Sequence, residues 1–143
     1  MANRNTILNA LMTDMMDYLT PSRGYNVDLG EVKRGIYYFE DVSIKPAVCF
    51  WCYRDASEGA FNHVDKRTLY IYMYGYTDNT GVEDVDEIHN LASDVEYFLY
   101  NDFSYTNDTF VGDVVVYESG DNASGSMFEL ELRITYDKIT NTH

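Results

Sequence analysis

The sequence predicts an α+β fold: a mostly antiparallel sheet of about four to five strands with two helices packed on one face, in one domain over residues 1–143. Three observations carry this. Two stretches repeat apolar residues at helical spacing. One stretch, Leu69-Tyr70-Ile71-Tyr72-Met73-Tyr74, alternates aliphatic and tyrosine side chains with the period of a strand. The C-terminal part reads as two alternating arms around a connection rich in Gly, Ser and Asn.

The first helix is expected from Thr6 to Leu19, with Ile7, Leu8, Leu11, Met12, Met15 and Leu19 on one face; Pro21 and Gly24 stop it. From Tyr25 to Ile44 the pattern is less regular. Val27, Leu29 and Val32 suit an edge strand, and Gly30, Gly35 and Lys33-Arg34 suit a bend. Pro46 then opens a strand, Ala47 to Tyr53, whose nearly unbroken apolar run implies cover on both faces. Ala56 to Asp65 is polar, contains Gly59, and reads as a loop or hairpin tip.

The next strand runs from Arg67 to Tyr76. Leu69, Ile71 and Met73 point one way, and Tyr70, Tyr72, Tyr74 and Tyr76 the other. The aliphatic face is expected to meet the helices. The tyrosine face is covered either by the chain's own strands and loops or by another subunit, and both readings stay open here. After a loop at Asp78–Asp84, a second helix is expected from Val85 to Tyr100, with Val85, Ile88, Leu91, Ala92, Val95, Phe98 and Leu99 as its stripe. Asp84, Asp86 and Glu87 stand at its start, where the helix dipole favours negative charge. The final hairpin has arms Val111–Tyr117 and Met127–Tyr136 joined by Ser119–Gly125, and Ile139–His143 reads as a loose tail.

The apolar fraction of 45% and aromatic fraction of 15%, mostly 14 Tyr and 7 Phe, argue against disorder, because large rings supply much burial per residue. The net charge of -14 repels nucleic-acid phosphates and anionic membrane surfaces. No apolar run is long enough to span a membrane, and Met1–Thr6 lacks the apolar core of a signal peptide, which points to synthesis in a cytoplasm.

Few residues suggest chemistry. Cys49-Phe50-Trp51-Cys52 is a C-x-x-C pair, but it lies within a strand, where residues three apart face opposite ways. Two buried, inert thiols are expected. His63, His89 and His143 have no neighbours at metal-ligand spacing. Glu83, Asp84, Asp86 and Glu87 lack the order of a calcium loop. Glu129 and Glu131 share a strand face with Arg133 and Thr135, as an ordinary exposed face would. No catalytic residue, cofactor site or metal site is assigned, and the expectation is a non-enzyme.

Val32-Lys33-Arg34-Gly35 followed by Pro46-Ala47-Val48, then the helix from Asp84 to Leu91, then a hairpin closing on Ile134-Thr135-Tyr136, resembles the tail terminator (tail completion) proteins of long-tailed bacteriophages and related minor tail proteins. The resemblance covers most of the chain as order and pattern. It implies a structural virion protein, made in the host cytoplasm, forming a ring, expected to be hexameric, at the head-proximal end of the tail tube. Such a ring ends tube polymerisation and offers a surface for head-tail joining. Its implied partners are further copies of itself, the tail tube protein and the head completion or connector protein. Genomic DNA would pass through without specific binding, and neither cofactor nor membrane is implied. The alternatives are another neck component, such as a connector or stopper, or a small acidic interaction or inhibitor protein. The candidate subunit interface is Tyr70, Tyr72, Tyr74 and Tyr76 together with Phe61 and His63 of the Ala56–Asp65 connection.

Overall fold

The computed structural model describes residues 3–78, 85–119 and 125–139. The elements are α1 (Arg4–Tyr18), β1 (Glu31–Arg34), β2 (Ala47–Phe61), β3 (Val64–Asp78), α2 (Asp86–Asn101), β4 (Thr109–Tyr117) and β5 (Gly125–Ile139). The strands form one sheet in the order β1-β2-β3-β5-β4, antiparallel throughout except for β1 beside β2. Both helices pack on the same face of it, as the fold class expected.

Each helix forms for identifiable local reasons. The Asn3 side chain caps α1 by accepting the Thr6 N–H at 2.9 Å. Ile7, Leu8, Leu11 and Met15 are buried along one side, and Leu19 follows them into the core. A 3₁₀ turn at Pro21–Arg23 and a left-handed Gly24 (φ 89°) then turn the chain away. In α2, Ile88, Leu91, Val95, Phe98 and Leu99 are fully buried. They meet Val48 and Phe50 of β2, Leu69, Ile71 and Met73 of β3, and Phe128, Leu130, Leu132 and Ile134 of β5 in one continuous core. Full burial of such side chains contributes about 1.5–3 kcal/mol each. Gly75 exists for this packing: a Cβ there would stand 2.2 Å from the Phe128 ring and 3.0 Å from Leu91.

One polar residue is built into this interior. Asp94 of α2 is 4% exposed. Its carboxylate accepts the Asn26 and Val27 backbone N–H groups, both at 2.8 Å, and the Asn26 amide at 3.0 Å. It thus ties α2 to the segment leading into β1, which has no strand partner for those donors.

The structure corrects several boundaries. Val27 and Leu29 are buried but precede the strand; only Glu31–Arg34 pair, in parallel with Ala47–Phe50. Of the two readings of Ala56–Asp65, the hairpin tip holds and the loop does not. β2 and β3 stay paired to Phe61–Val64, and the turn is Asn62-His63, both left-handed (φ 52° and 66°), as a two-residue hairpin requires. Cross-strand pairing with β5 carries this polar stretch, so its lack of apolar alternation misleads. Ile139 likewise lies inside β5, paired with Val64, rather than in a tail. Of the Asp78–Asp84 loop, Asp78 closes β3 and 79–84 lie outside the described residues. So do 120–124 of the hairpin connection and 140–143 of the expected tail.

Candidate assembly surface

The face of the sheet opposite the helices carries the tyrosines, and the chain divides it in two. After β1, Gly35 (φ 129°) turns the chain across this face. Residues 35–46 form a flap with a 3₁₀ turn at Phe39–Asp41, and the chain re-enters the sheet at Ala47 parallel to β1. The flap covers Tyr74 and Tyr76, which are 4% and 6% exposed. The Tyr37 N–H donates to the Tyr74 hydroxyl, which donates in turn to the Gly35 carbonyl at 3.1 Å; the Tyr76 hydroxyl donates to the Tyr37 carbonyl at 2.9 Å. Phe39 packs edge-on against Tyr76, with centroids 5.6 Å apart, and Val42, Ala47 and Cys49 complete a second small core.

Tyr70 and Tyr72 lie beyond the flap and are half-buried. Tyr72 leans on Trp51, centroids 4.8 Å apart, and the nearby Glu129 carboxylate adds to burial in raising its hydroxyl. Tyr53, exposed, bonds to Glu131, and Tyr117 donates to Glu129 at 3.3 Å. Two guanidiniums flank the Tyr70 ring: Arg54 at 5.1 Å and Arg133 at 5.2 Å, with Arg133 also 5.6 Å from Phe110. Neither arginine has a carboxylate within ion-pair distance among the described residues. The register explains this rung, because Arg54, Tyr70, Arg133 and Phe110 stand opposite one another across β2, β3, β5 and β4. A depression of about 430 Å³ opens beside it, lined by Tyr72, Phe110, Asp113, Val115, Glu129 and Arg133 among others.

The candidate interface residues therefore separate. Tyr74 and Tyr76 are buried within the subunit, and Tyr70 and Tyr72 face the open half. Phe61 is 79% exposed, and His63 is exposed in the tight turn beside it, at the end of the long β2–β3 hairpin. That hairpin is braced at its base, where Asp55 takes Arg67 Nε at 2.8 Å, Arg4 Nε at 3.1 Å and the Tyr136 hydroxyl at 2.8 Å. Sequence reading missed Arg54, Arg133 and Phe110. Their only signal was register, which no single strand displays.

Burial pushes the Tyr74 hydroxyl up to about 12, and the Tyr72 and Tyr76 hydroxyls are raised by burial as well, so all three stay protonated at neutral pH. Both cysteines are free. Cys49 is buried beside Tyr74, with its thiol pushed up to about 11 by burial. Cys52 is only half-buried; its thiol is also raised by burial, and it donates to the Arg54 carbonyl at 3.3 Å. The pair thus faces opposite sides of the sheet. Among the described residues no group of three or more His, Cys, Asp and Glu could hold a metal ion, and no helix is long and apolar enough to cross a membrane. His89 stands 2.9 Å from Glu118, away from this surface. No protein-family model matches the chain, and no curated protein matches it.

Proposed function

We propose that this chain is a structural assembly protein: a subunit of a ring at the head-proximal end of a bacteriophage tail tube, which ends tube growth and receives the head. One observation carries the assembly part of this reading. The open half of the outer face presents Tyr53, Tyr70, Tyr72, Phe110, Val115 and Tyr117 in one connected patch, with two arginines among them that no carboxylate pairs among the described residues. Tyrosine and arginine are the residues enriched where protein surfaces meet, and a connected apolar patch marks such a surface. The tail reading is supported by the order helix, short strand, Pro46-Ala47-Val48 strand, further strand, helix and hairpin, which resembles that of tail terminators. A net charge of -14 suits a ring that DNA must cross without sticking.

The test uses tail tubes assembled without this protein. Added chain is expected to bind their head-proximal ends, halt elongation and make them competent to join heads. Tubes that elongate unchanged in its presence, with no chain at their ends, would refute the reading. Capture by purified heads but not by tails would assign it instead to a connector or stopper.

A further inference from the structure

The charge is not spread evenly. Residues 68–132 contain fourteen acids and no lysine or arginine; the remaining 78 residues carry ten acids and all ten cations. The fold turns this into a polarity across the sheet. α1 packs toward β1, and α2 packs toward β4, β3 and β5, so β1, β2 and α1 form a balanced, cation-bearing side. The opposite side, β4 and α2, carries acids and no lysine or arginine.

Each side ends in an open strand edge. β1 accompanies β2 only over Ala47–Phe50, and the last bond there runs from the Gly35 N–H to the Phe50 carbonyl at 2.8 Å. From Trp51 to Phe61, β2 has no strand beside it on that side among the described residues. A groove of about 520 Å³ opens at the break, with Arg4, Arg34, Trp51 and Cys52 in its lining. At the far side β4 is the other edge. It spans Thr109–Tyr117, with Asp108, Asp113 and Glu118 along it and Phe110, Val115 and Tyr117 exposed on its outer face.

We propose that β4 of one copy adds to the Trp51–Phe61 edge of β2 in a second copy, joining the sheets edge to edge with the acidic side against the cation-bearing side. The inference names the subunit contact of the proposed ring and rests on that reading. Three features favour a second copy as the occupant. First, the charges are complementary: Asp108, Asp113 and Glu118 would meet Arg34 and Arg54, which no carboxylate pairs among the described residues, while Asp55 of that edge is already held by Arg4 and Arg67 and Glu58 is its one other acid, whereas β4 against β4 would set acids against acids. Second, the outer-face rows continue, because Phe110, Val115 and Tyr117 would come beside Trp51 and Tyr53 as cross-strand neighbours. Third, two different edges on opposite sides of one subunit make a head-to-tail contact, the kind that closes into rings. Both edges are bulged, β2 at Cys52/Arg54 and Ser57/Ala60 and β4 at Val111/Val114, which discourages indiscriminate edge pairing.

The test is a charge exchange. One variant carries Arg34→Glu and Arg54→Glu, the other Asp108→Lys and Asp113→Lys. Each alone is expected to self-associate at least tenfold more weakly than the unmodified chain, and an equimolar mixture is expected to recover association as strict alternation of the two. Milder versions, Arg54→Gln and Asp113→Asn, with circular dichroism melts of all four, separate lost contact from lost fold. Association of each charge variant at unmodified strength, or folded variants whose mixture does not recover, would overturn the inference. If the unmodified chain assembles and caps tubes while the variants do the same, the ring reading stands and this contact falls. If it assembles but never binds tubes, the tail reading falls and the exchange still decides the contact.

Discussion

Replacing Tyr74 and Tyr76 together with phenylalanine should loosen the flap while leaving the sheet in place. The rings, and their packing against Phe39 and Trp51, are retained. Three hydrogen bonds are lost: Tyr37 N–H to Tyr74, Tyr74 to Gly35, and Tyr76 to Tyr37. At about 1 kcal/mol net for each bond, with a further ~1 kcal/mol for the stranded Tyr37 N–H, the single changes sum to about 4 kcal/mol. They share Tyr37, so the double variant should lose less, about 3 kcal/mol. Cys49 lies beneath the flap in the same small core. Its labelling by a thiol reagent in a Cys52→Ser background reports flap opening, and should accelerate on the order of a hundredfold. Labelling at the unmodified rate, or only in step with global unfolding, would show that the tyrosine hydroxyls do not hold the flap.

Removing the Asp94 carboxylate as Asp94→Ala strands two backbone N–H groups and should cost about 3–5 kcal/mol, read by urea denaturation; a loss under 1 kcal/mol would mean the donors find other partners. Gly75→Ala forces a methyl into Phe128 and Leu91 and should cost about 1–3 kcal/mol in the same assay. Alkaline pH should destabilise the fold. Tyr74 keeps its proton to about 12 in the folded chain against an ordinary 10.0, so as pH rises above 10 the unfolded chain ionises first. Stability present below pH 10 is then lost at about 1.4 kcal/mol per pH unit for this tyrosine, with Tyr72 and Tyr76 adding in the same direction, and tyrosinate absorbance should rise together with unfolding.

Much of the fold was legible because burial follows period. The stripes Ile7–Leu19 and Ile88–Leu99 and the alternation at Leu69–Met73 are local patterns, and they are buried where the pattern placed them, except that Met12 and the expected first member of the second stripe, Val85, are only half-buried. Polar strand was harder. Residues 56–61 and 64–66 have no apolar alternation, since their partners are backbone and ions rather than core. The flap left almost no mark in sequence: Tyr37, Phe39 and Val42 read as scattered apolar residues until their place over Tyr74 and Tyr76 is known. That same flap decides half of the tyrosine question. Tyr74 and Tyr76 are closed by their own chain, and Tyr70 and Tyr72 are not. The arginine rung at Tyr70 needed four strands in register, which only the tertiary structure supplies.

The mass of the purified chain in solution, measured by light scattering across a concentration series, bears most directly on its being a ring subunit. Assembly through the open face and edges should give a closed species, six times the 16.5 kDa of one chain for the hexamer the resemblance implies, that stops growing as concentration rises. A mass that stays at one chain over the whole series, with no gain when tail tubes are added, would contradict it.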